Sequence, residues 1–395
     1  MFRLNSSSKI SLLILSVFSY FVVVGLSAVV LPLILKFNNV SDFFIGFSDN
    51  VKVIAGLGIL IILPRIASKF GIVGTGVLSL AFFGLSILLL PLYCNYFIWL
   101  ILMFLFGAGF IVFRTMEESL TNVIVNNKIR GKIMGYIATA MLAGLAIGPL
   151  LPKIFGVMNY INFIISFVLI FISAVCFLML KQSQGYVKPT ANFQLFRFIK
   201  EMPLVFFSKF IMEFIIQVVF VFLVIYVIET TNYSAENAGL FITYFSLSGL
   251  LNIFVGRFID KFTNKNVLMV FGVFVLFVCL ALLPLTLKFN IISSYILFFI
   301  FGLFGSGLVF LSSMYILNSS YQKKDLVSAN SALTFSDAIA MISGSFFTGI
   351  SMEIFGAKGF FVPILVLSVL YIIFCLCYFH TNIVVLLKKV YKNGK

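Results

Sequence analysis

The sequence predicts an all-α integral membrane protein, with twelve transmembrane helices in two parallel six-helix repeats. Of its 395 residues, 62% are hydrophobic and 10% are charged, whereas a soluble domain carries about 25% charged residues. Apolar windows of roughly 20 residues, the length of a spanning helix, follow one another with only short loops between them. The two halves of the chain also share short sequence matches. Together these observations exclude soluble cytosolic, secreted and disordered proteins.

The apolar windows define twelve predicted helices, numbered here in chain order. They cover residues 10–35, 43–63, 71–92, 96–124, 133–152, 159–180, 203–228, 236–257, 266–287, 291–317, 327–351 and 359–379. The first window is too long for a signal-peptide core and lacks a small-residue cleavage site. The expected organisation is an N-terminal six-helix bundle over 1–180, a cytoplasmic central loop over 181–202, and a C-terminal six-helix bundle over 203–395 with a short basic tail.

The distribution of Lys and Arg predicts the orientation in the membrane. Of the 27 Lys and Arg residues, 20 lie in loops on the face that carries both termini, 4 in loops on the other face, and 3 within the spans. Cytoplasmic loops carry such an excess of positive charge, so both termini are predicted to be cytoplasmic. The net charge of +15 then indicates contact with anionic membrane lipids rather than with nucleic acid. Abundant Phe, Ile, Asn and Lys are typical of an A+T-rich genome and favour a bacterial cytoplasmic (inner) membrane.

Three matches relate the two halves of the chain at similar offsets. LFGAGFIVF recurs as LFGSGLVFL 198 residues later, Arg65, Lys69 and Phe70 recur at an offset of 192, and Gly148 recurs at an offset of 196. Parallel repeats of this kind form one class of secondary transporters, in which the substrate site lies between the halves near the middle of the membrane.

Residues in two cytoplasmic turns resemble the signature of the major facilitator superfamily. The segment GRFIDKFTNK, from Gly256 to Lys265, is similar to the family's GxxxDRxGRR loop, and the first-half copy PRIASKFG, residues 64–71, has lost the Asp. The resemblance covers nearly the whole chain and implies a secondary transporter that works by alternating access. It implies that conformational-gate residues occur in both turns, namely Arg65, Lys69, Gly256, Arg257, Asp260 and Lys261.

The fifth predicted helix carries a second resemblance. Gly135, Gly144, Gly148 and Pro149 fit the spacing G-x8-G-x3-G-P of the antiporter motif in drug–proton exporters, although the closing Gly-Gly is replaced by Pro152 and Lys153. Gly144 and Gly148 form a small-xxx-small face for close helix packing, and Pro149 can bend the helix inside a bundle. These residues are therefore further candidates for the conformational gate.

The run from Glu117 to Tyr136 is most similar to the YcaD-type branch of transporters, in which a Glu precedes an Arg-Gly pair as Glu118 precedes Arg130 and Gly131. The resemblance places Glu118 near the turn between helices two and three. There, Arg65 or Lys69 is expected to pair with it in the outward-facing state.

Eight ionisable residues lie inside the predicted spans. Each costs about 2.5–3.5 kcal/mol at a lipid-facing helix centre, so all of them must face the interior, pair with each other or reach water. They are Asp49, Lys52, Arg114, Glu117, Glu118, Lys209, Glu213 and Asp337.

Helix seven carries the polar stripe Lys209, Glu213 and Gln217, spaced i, i+4 and i+8. Glu213 lies near mid-membrane and is a candidate to carry a proton or to bind a cationic substrate, with an internal ion pair to Lys209 as the structural alternative. Asp337 lies at a similar depth in helix eleven, where proton coupling and a helix-packing hydrogen bond are the two interpretations.

The remaining charges allow both functional and structural interpretations. Arg114 can meet an anionic group of a substrate or can be neutralised locally by Glu117. Asp49 and Lys52 lie near the outer end of helix two, where an ion pair lining the entrance is the default interpretation.

Several classes of chemistry are not expected. The chain contains no G-x-x-x-x-G-K-[ST] loop for ATP hydrolysis, its five cysteines show neither disulfide nor metal spacing, and its single histidine follows helix twelve. We therefore expect no enzyme, cofactor or metal site.

The expected function is secondary active transport of a small solute by a monomeric protein. Coupling to protons is expected, and the helix-five motif favours export by antiport. Proton symport or uniport of an imported metabolite is the alternative. A non-transporting membrane receptor or scaffold with the same fold is the second alternative.

Overall fold

The computed structural model describes residues 6–92, 95–124, 130–180, 195–320 and 323–393. Those residues form helices and helical turns, without a strand among them, which confirms the predicted all-α class. The α-helices are α1 (Ser6–Phe37), α2 (Asp42–Leu89), α3 (Tyr96–Ile124), α4 (Arg130–Ile147), α5 (Leu150–Phe155), α6 (Ile161–Leu178), α7 (Leu195–Glu201), α8 (Pro203–Thr230), α9 (Ala235–Gly249), α10 (Asn252–Lys261), α11 (Lys265–Phe289), α12 (Ile291–Ile300), α13 (Gly307–Ser320), α14 (Lys323–Phe355) and α15 (Val362–Asn393).

Within the described residues, ten stretches are long and apolar enough to cross a membrane, or eleven if the bent pair α9 and α10 forms one span. One of the ten, Ala332–His380, is 49 residues long and contains a 3-10 turn at Gly356–Phe361 between α14 and α15. At 1.5 Å per residue, 49 helical residues extend about 74 Å, more than twice the ~30 Å hydrocarbon core. This stretch is therefore long enough for two passes, and counting it twice, with the bent pair as one span, gives the twelve passes that the hydropathy pattern predicts.

Helix boundaries differ from the predicted ones at several places. α2 contains both the second and the third predicted helices, which we call its first arm (residues 42–70) and second arm (72–89). Gly71 divides them with a φ of 72°, a conformation that glycine adopts without steric cost. The predicted central loop contains the short helix α7, while residues 181–194 lie outside the described residues. α15 continues as a helix to Asn393, where a tail was predicted.

α1 and α8 are the most buried of the spans. They begin on the same face of the bundle, which we call the terminal side, and end on the opposite face, the far side. Apart from the polar stripe on α8, both helices are largely apolar on every side, a pattern typical of helices surrounded by other helices. The outer spans, in contrast, expose large side chains such as Phe97 and Phe289, as expected for surfaces that face lipid.

The first half of the chain (residues 6–180) and the second half (195–393) meet along several helix pairs. The first arm of α2 packs against α14, α4 and α5 pack against α9, and α1 crosses α8. Glycines allow the backbones of α14 and the first arm of α2 to approach each other closely. A Cβ at Gly349 of α14 would lie 2.8 Å from the carbonyl oxygen of Asp42, and Gly46 lies against the carbonyl of Ser345.

Candidate functional site

A buried ion cluster joins α8 to α14 in the middle of the second half. Lys209 Nζ forms an ion pair with Glu213 on the same helix, and lies 3.2 Å from Asp337 Oδ2 on α14. The Lys209 side chain is 2% exposed, whereas those of Glu213 and Asp337 are each 21% exposed. We call these three residues the Lys209 triad. It contains one ammonium and two carboxylates.

The surroundings of the Lys209 triad are mostly apolar. Lys209 Nζ lies 5.3 Å from the centroid of the Phe310 ring on α13, close enough for a cation–π contact. Asp337 Oδ1 is buried and has no hydrogen-bond partner among the described residues. Gly344 brings α14 close to α8, because a Cβ there would lie 2.8 Å from the carbonyl oxygen of Phe214.

A second ion cluster in the first half has the same ratio of charges. Arg114 on α3 contacts Glu117 at 2.6 Å and Glu118 at 3.0 Å. Glu117 is 2% exposed and also accepts a hydrogen bond from Thr121, whereas Glu118 is 54% exposed. The Arg114 guanidinium lies 5.7 Å from the Phe21 ring on α1. We call Arg114, Glu117 and Glu118 the Arg114 cluster.

The polar stripe on α8 divides between the triad and the contact between the halves. Gln217 Nε2 donates a hydrogen bond to Asp49 on the first arm of α2, and Asp49 also pairs with Lys52. Gln217 and Asp49 are both buried. The predicted pair Asp49–Lys52 therefore forms, and it lies against the second half of the chain rather than at an open entrance.

Other polar contacts between the halves lie in the half of the bundle toward the far side. Ser345 Oγ donates to Asn50 Oδ1 at 2.5 Å, and Thr243 Oγ1 donates to the carbonyl of Ala146 at 2.9 Å. At the far-side ends of α1 and α8, Lys36 pairs with Glu229.

Two of these contacts across the halves are backed by a partner in the same half. Lys36 pairs with Glu229 of the second half and also lies 2.9 Å from Asp42 of the first half. Asp49 accepts a hydrogen bond from Gln217 of the second half and also pairs with Lys52 of the first half. Lys36 and Asp49 thus stay paired whether or not the halves touch. Sequence reasoning missed Lys36, Asp42 and Glu229, since charges near helix ends are common and no local spacing connects α1 to α8.

The two signature turns lie on the terminal side. Arg65 and Lys69 are exposed on the last turns of the first arm of α2, and Lys69 Nζ lies 5.5 Å from the Phe70 ring. Among the described residues neither forms an ion pair with Glu118, which contacts Arg114 instead. On α10, Arg257, Asp260 and Lys261 are also exposed, and a Cβ at Gly256 would meet no atom within 4 Å.

The helix-five residues form a close crossing of α4 and α1. A Cβ at Gly144 would lie 2.7 Å from the carbonyl oxygen of Phe18, and Gly148 lies against the carbonyl of Val22. Pro149 occupies the break between α4 and α5. Gly135 lies in α4, but its side-chain surroundings fall outside what the structure describes, as do those of Arg130.

A cavity of about 480 Å³ lies between α1 and α4 toward the terminal side. Its lining is mainly apolar and consists of Ser11, Ile14, Leu15, Phe18, Tyr136, Thr139, Ala140 and Ala143. In the part of the chain that is described, no group of three or more His, Cys, Asp or Glu side chains is arranged to hold a metal ion.

The family model of the Major Facilitator Superfamily matches residues 13–345, most of the chain. The chain belongs to the Major Facilitator Superfamily. As a member of this superfamily it is a multi-pass integral membrane protein of a transporter family, which is not a class of enzymes.

Solved transporter structures share the fold of this superfamily member. The nucleoside transporter NupG matches with a TM-score of 0.78 and 13% identity, over 94% of this chain and 99% of that one. A bacterial homologue of the human lysosomal transporter Spinster, in an inward-facing and unoccupied conformation, matches with a TM-score of 0.70 and 14% identity, over 89% of this chain and 83% of that one. A search of curated protein sequences finds no match. Membership of the superfamily and these neighbours support solute transport.

Proposed function

We propose that the protein is a proton-coupled secondary transporter of a small solute, and that the Lys209 triad is its coupling site. The observation that carries the proposal is the meeting of two carboxylates, Glu213 and Asp337, at one buried ammonium on membrane-spanning helices. Ionisable side chains at such depth are costly and usually take part in transport. Both carboxylates are partly exposed, as a group that exchanges protons requires.

The charges of the triad do not balance. With both carboxylates ionised and Lys209 protonated, the triad carries a net charge of −1 in an apolar setting. One bound proton makes it neutral, and so does one bound cation. An uncompensated charge is costly inside a membrane. The empty triad is therefore expected to bind one proton or one cation, which brings its total charge to zero.

The triad is also placed to act on the contact between the halves. Gln217 lies one turn beyond Glu213 on α8 and binds Asp49 of the first half. Ser345 lies about two turns beyond Asp337 on α14 and binds Asn50. α8 and α14 thus carry both the triad and the contacts between the halves. A change in the distance between these two helices at the triad would also change those contacts, which supports alternating access.

The orientation and direction belong to the same proposal. The Lys and Arg distribution favours cytoplasmic termini, so halves in contact on the far side would correspond to an inward-facing state. The helix-five motif, with Gly144, Gly148 and Pro149, favours export by proton antiport. The turn residues Arg65, Lys69, Gly256, Arg257, Asp260 and Lys261, together with Glu117 and Glu118, would then pair across the terminal side in the outward-facing state. The resemblance to the YcaD-type branch stays a prediction.

Flux measurements in proteoliposomes test the proposal. A panel of radiolabelled nucleosides, amino acids, sugars and organic cations is assayed with and without an imposed pH gradient. We expect the gradient to accelerate flux of a solute at least tenfold, and we expect Glu213→Gln and Asp337→Asn each to remove that acceleration. Glu353→Gln is the matched control, because Glu353 is an exposed carboxylate on the same helix as Asp337.

Flux that is insensitive to the gradient would favour uniport over coupling. Gradient-driven flux that persists in both variants would move the coupling site elsewhere. No flux of any solute in the panel would favour the non-transporting alternative.

A further inference from the structure

We infer that the solute is an organic cation with an apolar body. This inference rests on the proposed function and adds a substrate class to the same site. The first reason is the charge of the membrane interior. The protein carries a net charge of +15, yet the ionisable residues within its predicted spans are three cations and five carboxylates, a net charge of −2. These residues are Lys52, Arg114, Lys209, Asp49, Glu117, Glu118, Glu213 and Asp337.

Each of those three cations is already paired. Lys52 contacts Asp49, Arg114 contacts Glu117 and Glu118, and Lys209 contacts Glu213 and Asp337. An anionic solute would have to break one of these ion pairs and leave carboxylates bare. A cationic solute instead supplies the charge that the surplus carboxylates lack.

The second reason is that aromatic rings beside the ion clusters already hold cations. Arg114 lies over Phe21, and Lys209 lies over Phe310. Phe310 is 40% exposed, so part of its ring stays accessible beside the Lys209 triad. A cation over a ring face is attracted by the ring quadrupole, most strongly in a partly desolvated site.

The third reason is the apolar wall beside the Arg114 cluster. The cavity between α1 and α4 ends at Phe18, one turn before Phe21. It is an open groove with a volume of about 480 Å³. Leu15 and Tyr136 line it and are both exposed. An apolar group attached to a cationic centre near the Arg114 cluster would contact this wall.

Two ions of the same shape and opposite charge test this inference. Tetraphenylphosphonium and tetraphenylborate are titrated separately into the purified wild-type protein at one pH, and thermal unfolding is followed. A ligand that binds the folded state stabilises it in proportion to the logarithm of its concentration over its Kd. We expect tetraphenylphosphonium to raise the Tm saturably, and tetraphenylborate at equal concentration to leave it unchanged or lower it.

Variants locate the binding site. Glu213→Gln and Asp337→Asn are each expected to weaken tetraphenylphosphonium binding at least tenfold, whereas Glu353→Gln leaves it unchanged. Stabilisation by tetraphenylborate that equals or exceeds that by the phosphonium ion overturns the inference, and this wild-type comparison does not depend on any variant folding. Phosphonium binding that is unaffected in both triad variants also overturns it.

Binding at fixed pH is independent of proton flux. Gradient-driven flux of a neutral or anionic solute would refute the cationic substrate and leave the proposed coupling intact. Phosphonium binding without gradient-driven flux would refute the proposed coupling and leave the cationic substrate class intact.

Discussion

Lys209→Met is expected to destabilise the protein strongly and to abolish transport. The change leaves Glu213 and Asp337 facing each other beside a site where Lys209 is 2% exposed. Removing one partner of a buried ion pair costs about 3–5 kcal/mol, because the remaining charge has no counterion. The measurement is thermal unfolding of the purified protein, in which we expect the Tm to fall by roughly 5 °C or more.

Lys52→Met is the matched control for Lys209→Met. It also removes an ammonium that pairs with a carboxylate on its own helix, but the Lys52 side chain is 24% exposed, so water can replace the lost partner. We expect a Tm loss less than half as large. A triple variant, Lys209→Met with Glu213→Gln and Asp337→Asn, removes every charge of the triad and should recover most of the stability but none of the transport. Equal losses in the two single Lys variants would contradict this account.

Gly349→Leu is expected to prevent closure of the halves on the far side. A Cβ at Gly349 would lie 2.8 Å from the carbonyl oxygen of Asp42 and 3.2 Å from the Cα of Phe43, so a leucine cannot fit while α14 and the first arm of α2 are in contact. Both obstructing atoms belong to the other half of the chain. The protein can therefore fold with the halves separated at this point, and the population shifts toward a state open on the far side.

Labelling of a cysteine at position 345 reports this opening. In a background without the native cysteines, Ser345→Cys is buried at the contact between the halves, where Ser345 is 0% exposed. Gly349→Leu should accelerate its reaction with a membrane-impermeant maleimide at least tenfold. Gly58→Leu is the control. Gly58 is an exposed glycine on the first arm of α2, and a Cβ there would meet no atom within 4 Å. Unchanged labelling, or a Gly349→Leu protein that no longer folds, would show that this contact is not confined to the closed state.

Most of the fold could be predicted from the sequence because the bilayer fixes the length and polarity of each span. The twelve passes follow from hydropathy, and the relation between the halves follows from matches such as Gly148 with Gly344. The ends of the helices could not be predicted as closely. The first arm of α2 continues through Arg65 and Lys69 to Gly71, since an apolar window records where lipid begins but not where hydrogen-bonded helix ends.

The candidate site could be predicted only where its contacts are local. The spacing of Lys209 and Glu213 by four residues predicted that they share a helix face, and they form a pair. Asp337 joins them from 128 residues away, and Gln217 reaches Asp49 across 168 residues. No periodicity in one sequence encodes such contacts, because they depend on how α8 packs against α14 and α2.

If the Lys209 triad is the proposed coupling site, its unequal number of carboxylates and ammonium groups also determines how transport responds to membrane voltage. Loaded with one proton or one monovalent cation, the triad is neutral, so an exchange of one for the other moves no net charge and is driven by the two concentration gradients alone. An empty triad carries one negative charge. In the proposed orientation, returning it to a cytoplasm held at −100 mV would require up to about 2.3 kcal/mol. The electric field of the membrane would thus oppose the return of the empty transporter to its inward-facing state. It would thereby suppress transport that is not coupled to exchange.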